Sequence, residues 1–136
     1  MSLRVLAALA AMALVSACGG SSNPVTGNGG GVTLLDVQSQ VLTPRCALSG
    51  CHVGTGAPFG LDMSSVSASK SHLVNVASGE NPSMMRVLPG DSASSYMYWK
   101  ITANPAIGGD PMPLAGGPLS QSQIDLIASW IDGGAK

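Results

Sequence analysis

Cysteine and histidine side chains come together in one short stretch of this chain, Cys46-Ala47-Leu48-Ser49-Gly50-Cys51-His52. Two thiols followed directly by an imidazole are the set that covalent haem attachment uses. The thiols add across the two vinyl groups of a haem, and the imidazole of His52, fixed beside the second thioether, coordinates the iron from the proximal side. The usual spacing is C-x2-C-H, and here it is C-x4-C-H. Two other chemistries are open to the same residues. In an oxidising compartment Cys46 and Cys51 can close a disulfide. A zinc site would take Cys46, Cys51 and His52, with only His72 left as a fourth ligand.

The chain that must position these groups has 136 residues and a formal net charge of -1, enough for one small domain. Without a basic excess it has no means of neutralising phosphates, so nucleic-acid binding is not expected. Only 10% of residues are charged, and 18 glycines and 9 prolines make the chain rich in loops. The aromatic residues are Phe59, Tyr96, Tyr98, Trp99 and Trp130, a thin supply for a core. A tightly held apolar cofactor would add burial and stabilise the state that binds it.

Residues 1–17 read as a targeting segment. Arg4 supplies a positive charge, and Val5 to Ala17 is an apolar run of the length of a signal h-region, too short to span a bilayer. The run ends in Val15-Ser16-Ala17-Cys18, which resembles a bacterial lipobox. That resemblance implies cleavage before Cys18 and lipidation of its sulfur; the alternative is an ordinary signal peptide that carries a cysteine. Residues 18–32, rich in Gly, Ser and Asn, form a flexible tether whose root-mean-square reach is about 20 Å. The folded domain is expected over residues 33–136.

Within that domain the pattern is helical, with no convincing period-two alternation and no internal repeat. Leu34, Val37 and Val41 recur at helical spacing behind Thr33 as N-cap, and Pro44 is expected to stop that helix before Cys46. A second helix is predicted from Ser65 to Ala77, burying Val66, Leu73, Val74 and Ala77. A third is predicted over Ala93–Ile101, capped by Ser92 or Asp91 after the Pro89-Gly90-Asp91 turn. The last carries a Ser120/Gln123 capping box, a Leu119–Ile124 staple, an Ile124/Ile127/Ile131 face and Gly133 as its end.

The order of these parts resembles the class I c-type cytochromes, especially the small cytochrome c-like domains of bacterial exported lipoproteins. The resemblance rests on the haem motif, on Asp110-Pro111-Met112-Pro113 before the final helix, and on the run from Leu119-Ser120 through Trp130-Ile131 to Gly133-Gly134-Ala135. Gly60-Leu61-Asp62-Met63, Pro89-Gly90-Asp91, Ser95-Tyr96-Met97-Tyr98 and Lys100-Ile101 also resemble the family. It implies an all-α fold of about four helices with long loops around one haem. It further implies that Cys46 and Cys51 form the thioethers of a covalently attached haem (haem c), and that His52 and Met112 are the axial iron ligands. The four-residue spacer departs from the family, and Ser49-Gly50 are placed to bulge, since glycine accepts positive φ.

Met112 is also singled out by the flanking Pro111 and Pro113, which limit the freedom of its loop. Its rivals as distal ligand are His72, Met84 and Met85, while methionines elsewhere fill cores. Trp99 and Trp130 are expected in the core, Trp130 near the haem edge. Lys70, Lys100 and Lys136 are too scattered for a docking patch, and Asp36, Asp62, Asp91, Asp110, Asp125 and Asp132 fall at turns and helix ends. The expected protein is a one-electron carrier and not an enzyme. It would be a monomer in the periplasmic cell envelope, anchored to a membrane through Cys18 and serving redox partner proteins. Gly19, standing where an aspartate retains some lipoproteins in the inner membrane, favours the outer membrane. A haem protein with an open distal site, acting as sensor or peroxidase, and a haemless disulfide-bonded interaction module are the alternatives.

Overall fold

The structure, a computed structural model, describes residues 30–136. The signal segment, Cys18 and most of the tether lie outside the described residues. Helix α1 (Leu34–Val37) begins at Thr33, whose hydroxyl accepts from the Asp36 amide at 3.3 Å while Asp36 Oδ2 accepts from the Thr33 amide at 2.9 Å. This reciprocal cap satisfies two of the orphan donors of the first turn. The helix does not stop at Pro44. It continues as a widened, π-helical segment, Gln38–Cys46, whose end is marked by a bond from the Ala47 amide to the Leu42 carbonyl at 2.7 Å, five residues back. Pro44 is carried inside this segment. A proline clashes with the carbonyl four residues back in a standard helix, and the wider ladder relieves that clash.

Leu34, Val37 and Val41 are buried, as the helical spacing predicts, and Leu42 is buried with them. The buried Gln38 joins them as a polar fastener. Its amide donates to the Met63 carbonyl at 2.9 Å and to Thr43 Oγ1 at 3.1 Å, and its carbonyl accepts from Ser69 Oγ at 2.7 Å. With its polar atoms paired, the residue avoids the cost of a buried unsatisfied group.

Helix α2 spans Val66–Leu73, shorter than expected, with Ser65 as N-cap. It stops because Val74 turns extended and forms an isolated parallel bridge to Val87, followed by Asn75 at φ 58°. Ala77 lies beyond the helix in a second isolated bridge, to Met85, and is exposed; Val66 is exposed as well. Leu73 alone of the four predicted positions is fully buried, and Val74 packs partly against the core. Helix α3 (Tyr96–Ile101) also starts later than expected. Asp91 and Ser92 do not cap it: Asp91 Oδ1 accepts from the Ser94 amide at 2.9 Å, and Ser95 Oγ donates to the Asp91 carbonyl at 2.8 Å, so the preceding residues form a turn.

Helix α4 (Gln121–Asp132) carries the predicted capping box, with Ser120 and Gln123 exchanging bonds of 3.0 and 3.3 Å. Ile127 and Ile131 are fully buried and Ile124 partly so, and Leu126 and Trp130 widen the apolar face. The helix packs on α1 and α3, and α2 packs on α1, giving an all-α domain without named strands among the described residues. Gly133 closes the helix and Gly134 follows at φ +95°. Trp130 sits in the centre of this core, its indole donating to the Lys136 carbonyl at 3.0 Å. Trp99 is only partly buried, because its indole reaches the Ala93 carbonyl at 2.6 Å near the surface.

Candidate functional site

Below the helical core the chain leaves an open cleft with about 1120 Å³ of empty space, its mouth included. Its walls are mostly apolar: Leu61, Met63, Leu73, Met97 and Ile101 form the deeper part, and Leu48, Phe59 and Leu114 the exposed rim. Apolar clefts with a few convergent polar groups are where small-molecule and cofactor sites occur.

Cys46, Cys51 and His52 enter the cleft from the end of the π-helical segment and the turn after it. The Cys51 amide bonds to the Leu48 carbonyl at 2.9 Å and the His52 amide to the Cys46 carbonyl at 3.2 Å. The spacer thus folds back on itself, and Gly50 adopts the expected left-handed backbone at φ +79°. Both thiols are free. Burial pushes the Cys46 thiol up to about 11, so it stays protonated at neutral pH.

His52 is held at both ends. Its carbonyl accepts from the Met63 amide at 2.9 Å, and its Nδ1 lies 3.2 Å from the Leu61 carbonyl. A carbonyl can only accept, so Nδ1 carries the proton and Nε2 is left with a free lone pair. Burial, more than the nearby Arg86 and Lys100 charges, lowers the His52 pKa from its ordinary value and keeps the ring neutral. A neutral imidazole whose other nitrogen is oriented by a carbonyl is the form that ligates a metal.

Met112 reaches the same cleft from the long loop between α3 and α4. Its amide is bonded to the Lys100 carbonyl at 2.9 Å, which fixes the loop to the end of α3. The four predicted site residues Cys46, Cys51, His52 and Met112 therefore line one cavity. The predicted rivals do not: His72 turns its Nδ1 to the Asp62 carbonyl at 3.1 Å, and Met84 and Met85 lie away from the cleft walls. The methionines that share the cleft with Met112 are Met63 and Met97, both buried in the core. Trp130 does not line the cleft, because its place at the centre of the helical core holds it elsewhere.

Sequence reasoning missed the cations of the site. Lys100 is buried and paired with Glu80 at 2.8 Å, and it also donates to the Gly108 carbonyl at 2.9 Å. Tyr96 adds a bond from its hydroxyl to Glu80 at 3.0 Å. Arg86 is buried and donates to two carbonyls, His72 at 2.9 Å and Phe59 at 2.7 Å; among the described residues it forms no ion pair. The available signal was scarcity: in a chain with few charges, the cations near the middle have few partners in sequence. Asp36, Asp91 and Asp132 are engaged at a cap, a turn and a helix end as expected, whereas Asp125 lies inside α4 and accepts from the Gln121 side-chain amide at 2.7 Å.

The donor set fits a haem. Two separate thiols and a neutral imidazole enter an apolar cleft together, a thioether sulfur lines it from another loop, and Arg86 offers an unpaired cation to a carboxylate. Among the described residues no three His, Cys, Asp or Glu side chains gather as a zinc site would require. No helix among the described residues is long and apolar enough to cross a membrane. Comparison with family models, with curated protein sequences and with solved structures finds no match.

Proposed function

We propose that this chain is a monohaem c-type cytochrome that carries single electrons in the bacterial cell envelope. The observation that carries this reading is the meeting of Cys46, Cys51, His52 and Met112, drawn from two distant loops, in one apolar cleft. The haem supplies one-electron chemistry between Fe(III) and Fe(II). The protein supplies everything that holds and tunes it.

In this reading Cys46 and Cys51 would hold the haem covalently, each thiol supplying its sulfur to one carbon of a vinyl group and its hydrogen to the other, an addition that needs no oxidant. His52 Nε2 would bind the iron, while the Leu61 carbonyl on Nδ1 holds the ring plane and raises its basicity. Met112 offers a soft, neutral sulfur, which favours Fe(II) over Fe(III). The apolar walls exclude water and disfavour the additional charge of Fe(III), raising the potential further. Arg86, at the cleft wall, would offer its charge to a haem carboxylate.

The proposed role is that of a carrier and not an enzyme. Its proposed partners are redox proteins of the periplasm, which it meets as a monomer on a lipid anchor at Cys18, in the outer membrane. A pyridine haemochrome spectrum and an intact mass, measured on protein made in an oxidising compartment with haem-attachment machinery, test the reading. One haem per chain with the mass of an added haem is expected; a colourless protein of the polypeptide mass overturns it. Cys18→Ser should release the protein from the membrane fraction with its optical spectrum unchanged.

A further inference from the structure

We propose that Arg45 is the positioning residue for Met112, acting as a strap across the cleft mouth. The inference rests on the haem reading above. Arg45 stands next to Cys46, and its guanidinium donates to the carbonyls of Gly116 at 3.0 Å and Gly117 at 2.7 Å. It thereby ties the segment that carries Cys46, Cys51 and His52 to the loop that carries Met112.

That loop needs a fastener. Upstream of Met112 it is held twice, by Tyr96 and Lys100 on Gly108 and by the Lys100 carbonyl on the Met112 amide. Downstream the support is of a different kind. Among the described residues, the only hydrogen bonds that reach residues 113–118 from the rest of the fold are the two from Arg45. Leu114 is 70% exposed and residues 115–118 are exposed, so burial does not hold them either. Gly116 and Gly117 take φ +75° and +73°, a left-handed pair that turns successive carbonyls toward one guanidinium. Both bonds leave one terminal nitrogen of the guanidinium, whose two N–H donors are fixed in direction by the delocalised plane, whereas the donors of an ammonium rotate on a flexible stem. Local unfolding is easiest in segments with few buried contacts. Arg45 is the restraint that keeps this one closed, and so keeps the Met112 sulfur in place against competing ligands.

The test uses the haem-loaded protein. Imidazole is titrated against the ferric form, where it competes with Met112, and the weak thioether–iron(III) band toward the red is followed. Arg45→Ala should keep covalent haem at the wild-type ratio, weaken the band and raise imidazole affinity about tenfold or more. Arg45→Lys should recover part of the difference. In a Met112→Ala background, Arg45→Ala should leave imidazole affinity unchanged, because the ligand it positions is gone. The inference is overturned if Arg45→Ala shifts only the unfolding midpoint, with band and affinity as in wild type. It is equally overturned if the affinity rises as much without Met112 as with it. Wild-type protein without covalent haem would instead sink the haem reading, which the haemochrome measurement registers before any variant is made.

Discussion

The helical core and the cleft beneath it are built by different means. Around Trp130 the chain relies on periodic apolar residues and local caps: the Thr33/Asp36 and Ser120/Gln123 exchanges each span three residues of sequence. The cleft has no such regularity. Its deeper walls borrow Leu73 from α2 and Met97 and Ile101 from α3, the rest comes from loops, and long-range polar bonds hold these parts together: Arg45 to Gly116 and Gly117, Gln38 to Met63, Arg86 to Phe59 and Lys100 to Glu80 and Gly108. The first half gains free energy from burying surface, which is insensitive to detail. The second depends on individual hydrogen bonds whose net worth is small but whose geometry is specific. A ligand that fills the cleft would stabilise the second half far more than the first.

The largest effect that separates the halves is chemical. Cys46→Ser combined with Cys51→Ser removes both proposed points of covalent attachment, and in-gel haem staining after boiling should fall from strong to absent. Far-UV circular dichroism should retain its helical signature, since serine is close to cysteine in size and only Cys46, at the end of its helical segment, packs partly buried against the core. Loss of helix together with haem would show that the two halves are one cooperative unit.

Trp130→Ala attacks the other half. The indole is fully buried, and its removal is expected to cost about 3–5 kcal/mol. Urea unfolding should report that loss while the Soret band of the folded fraction stays in place, because Trp130 does not line the cleft. A shifted Soret band at low urea would mean that the core and the cleft share the residue.

These contrasts also explain what was legible in the sequence. The first and last helices announced themselves, because Thr33, Ser120 and Gln123 act within a turn of the residues they cap. The gathering of Cys46, Cys51, His52 and Met112 was read from the order of motifs, with spacing supplying only the first three. Pro44 misled because its usual veto assumes a standard ladder, and the chain adopted a wider one. Helix α2 was drawn too long because Val74 has an equal claim to an extended pairing, and its partner Val87 is distant in sequence. Arg45, Arg86 and Lys100 were invisible as site residues because their acceptors are backbone carbonyls or a glutamate far along the chain, and backbone carbonyls leave no trace in residue identity.

A smaller effect sharpens the account of the cleft itself. Met112→Ala removes a partly buried side chain from the wall, and stability should change modestly. The electronic change should be clear: the red thioether band disappears, the reduction potential falls, and carbon monoxide binds the ferrous form. Met63→Leu and Met97→Leu conserve volume in the core and should leave band and potential intact. If Met63→Leu or Met97→Leu abolishes the band instead, the distal ligand comes from the buried wall and not from the loop.

The smallest expected effect is a pH step, and it distinguishes the halves through their titrating groups. His52 has a pKa lowered below 6.5, mainly by burial, so its neutral form is the one the fold prefers. Between the folded and unfolded values the unfolded chain binds more protons, so stability is full above 6.5 and declines as pH falls through the lowered pKa. Asp36, at the cap of α1, and Asp91, in the turn before α3, have pKa values lowered from 3.8, chiefly by side-chain hydrogen bonds to Thr33 and Ser94. Their contributions are present above 3.8 and fade only in more acid solution. The Cys46→Ser/Cys51→Ser protein, free of covalent haem, should therefore lose stability in two windows on acidification. The upper window belongs to the cleft, and the lower one to the caps together with Asp62, whose pKa is lowered from 3.8 chiefly by its hydrogen bonding to Ser64. Adding His52→Gln should flatten the upper window and leave the lower one in place; an upper window that persists without His52 would assign it to another group.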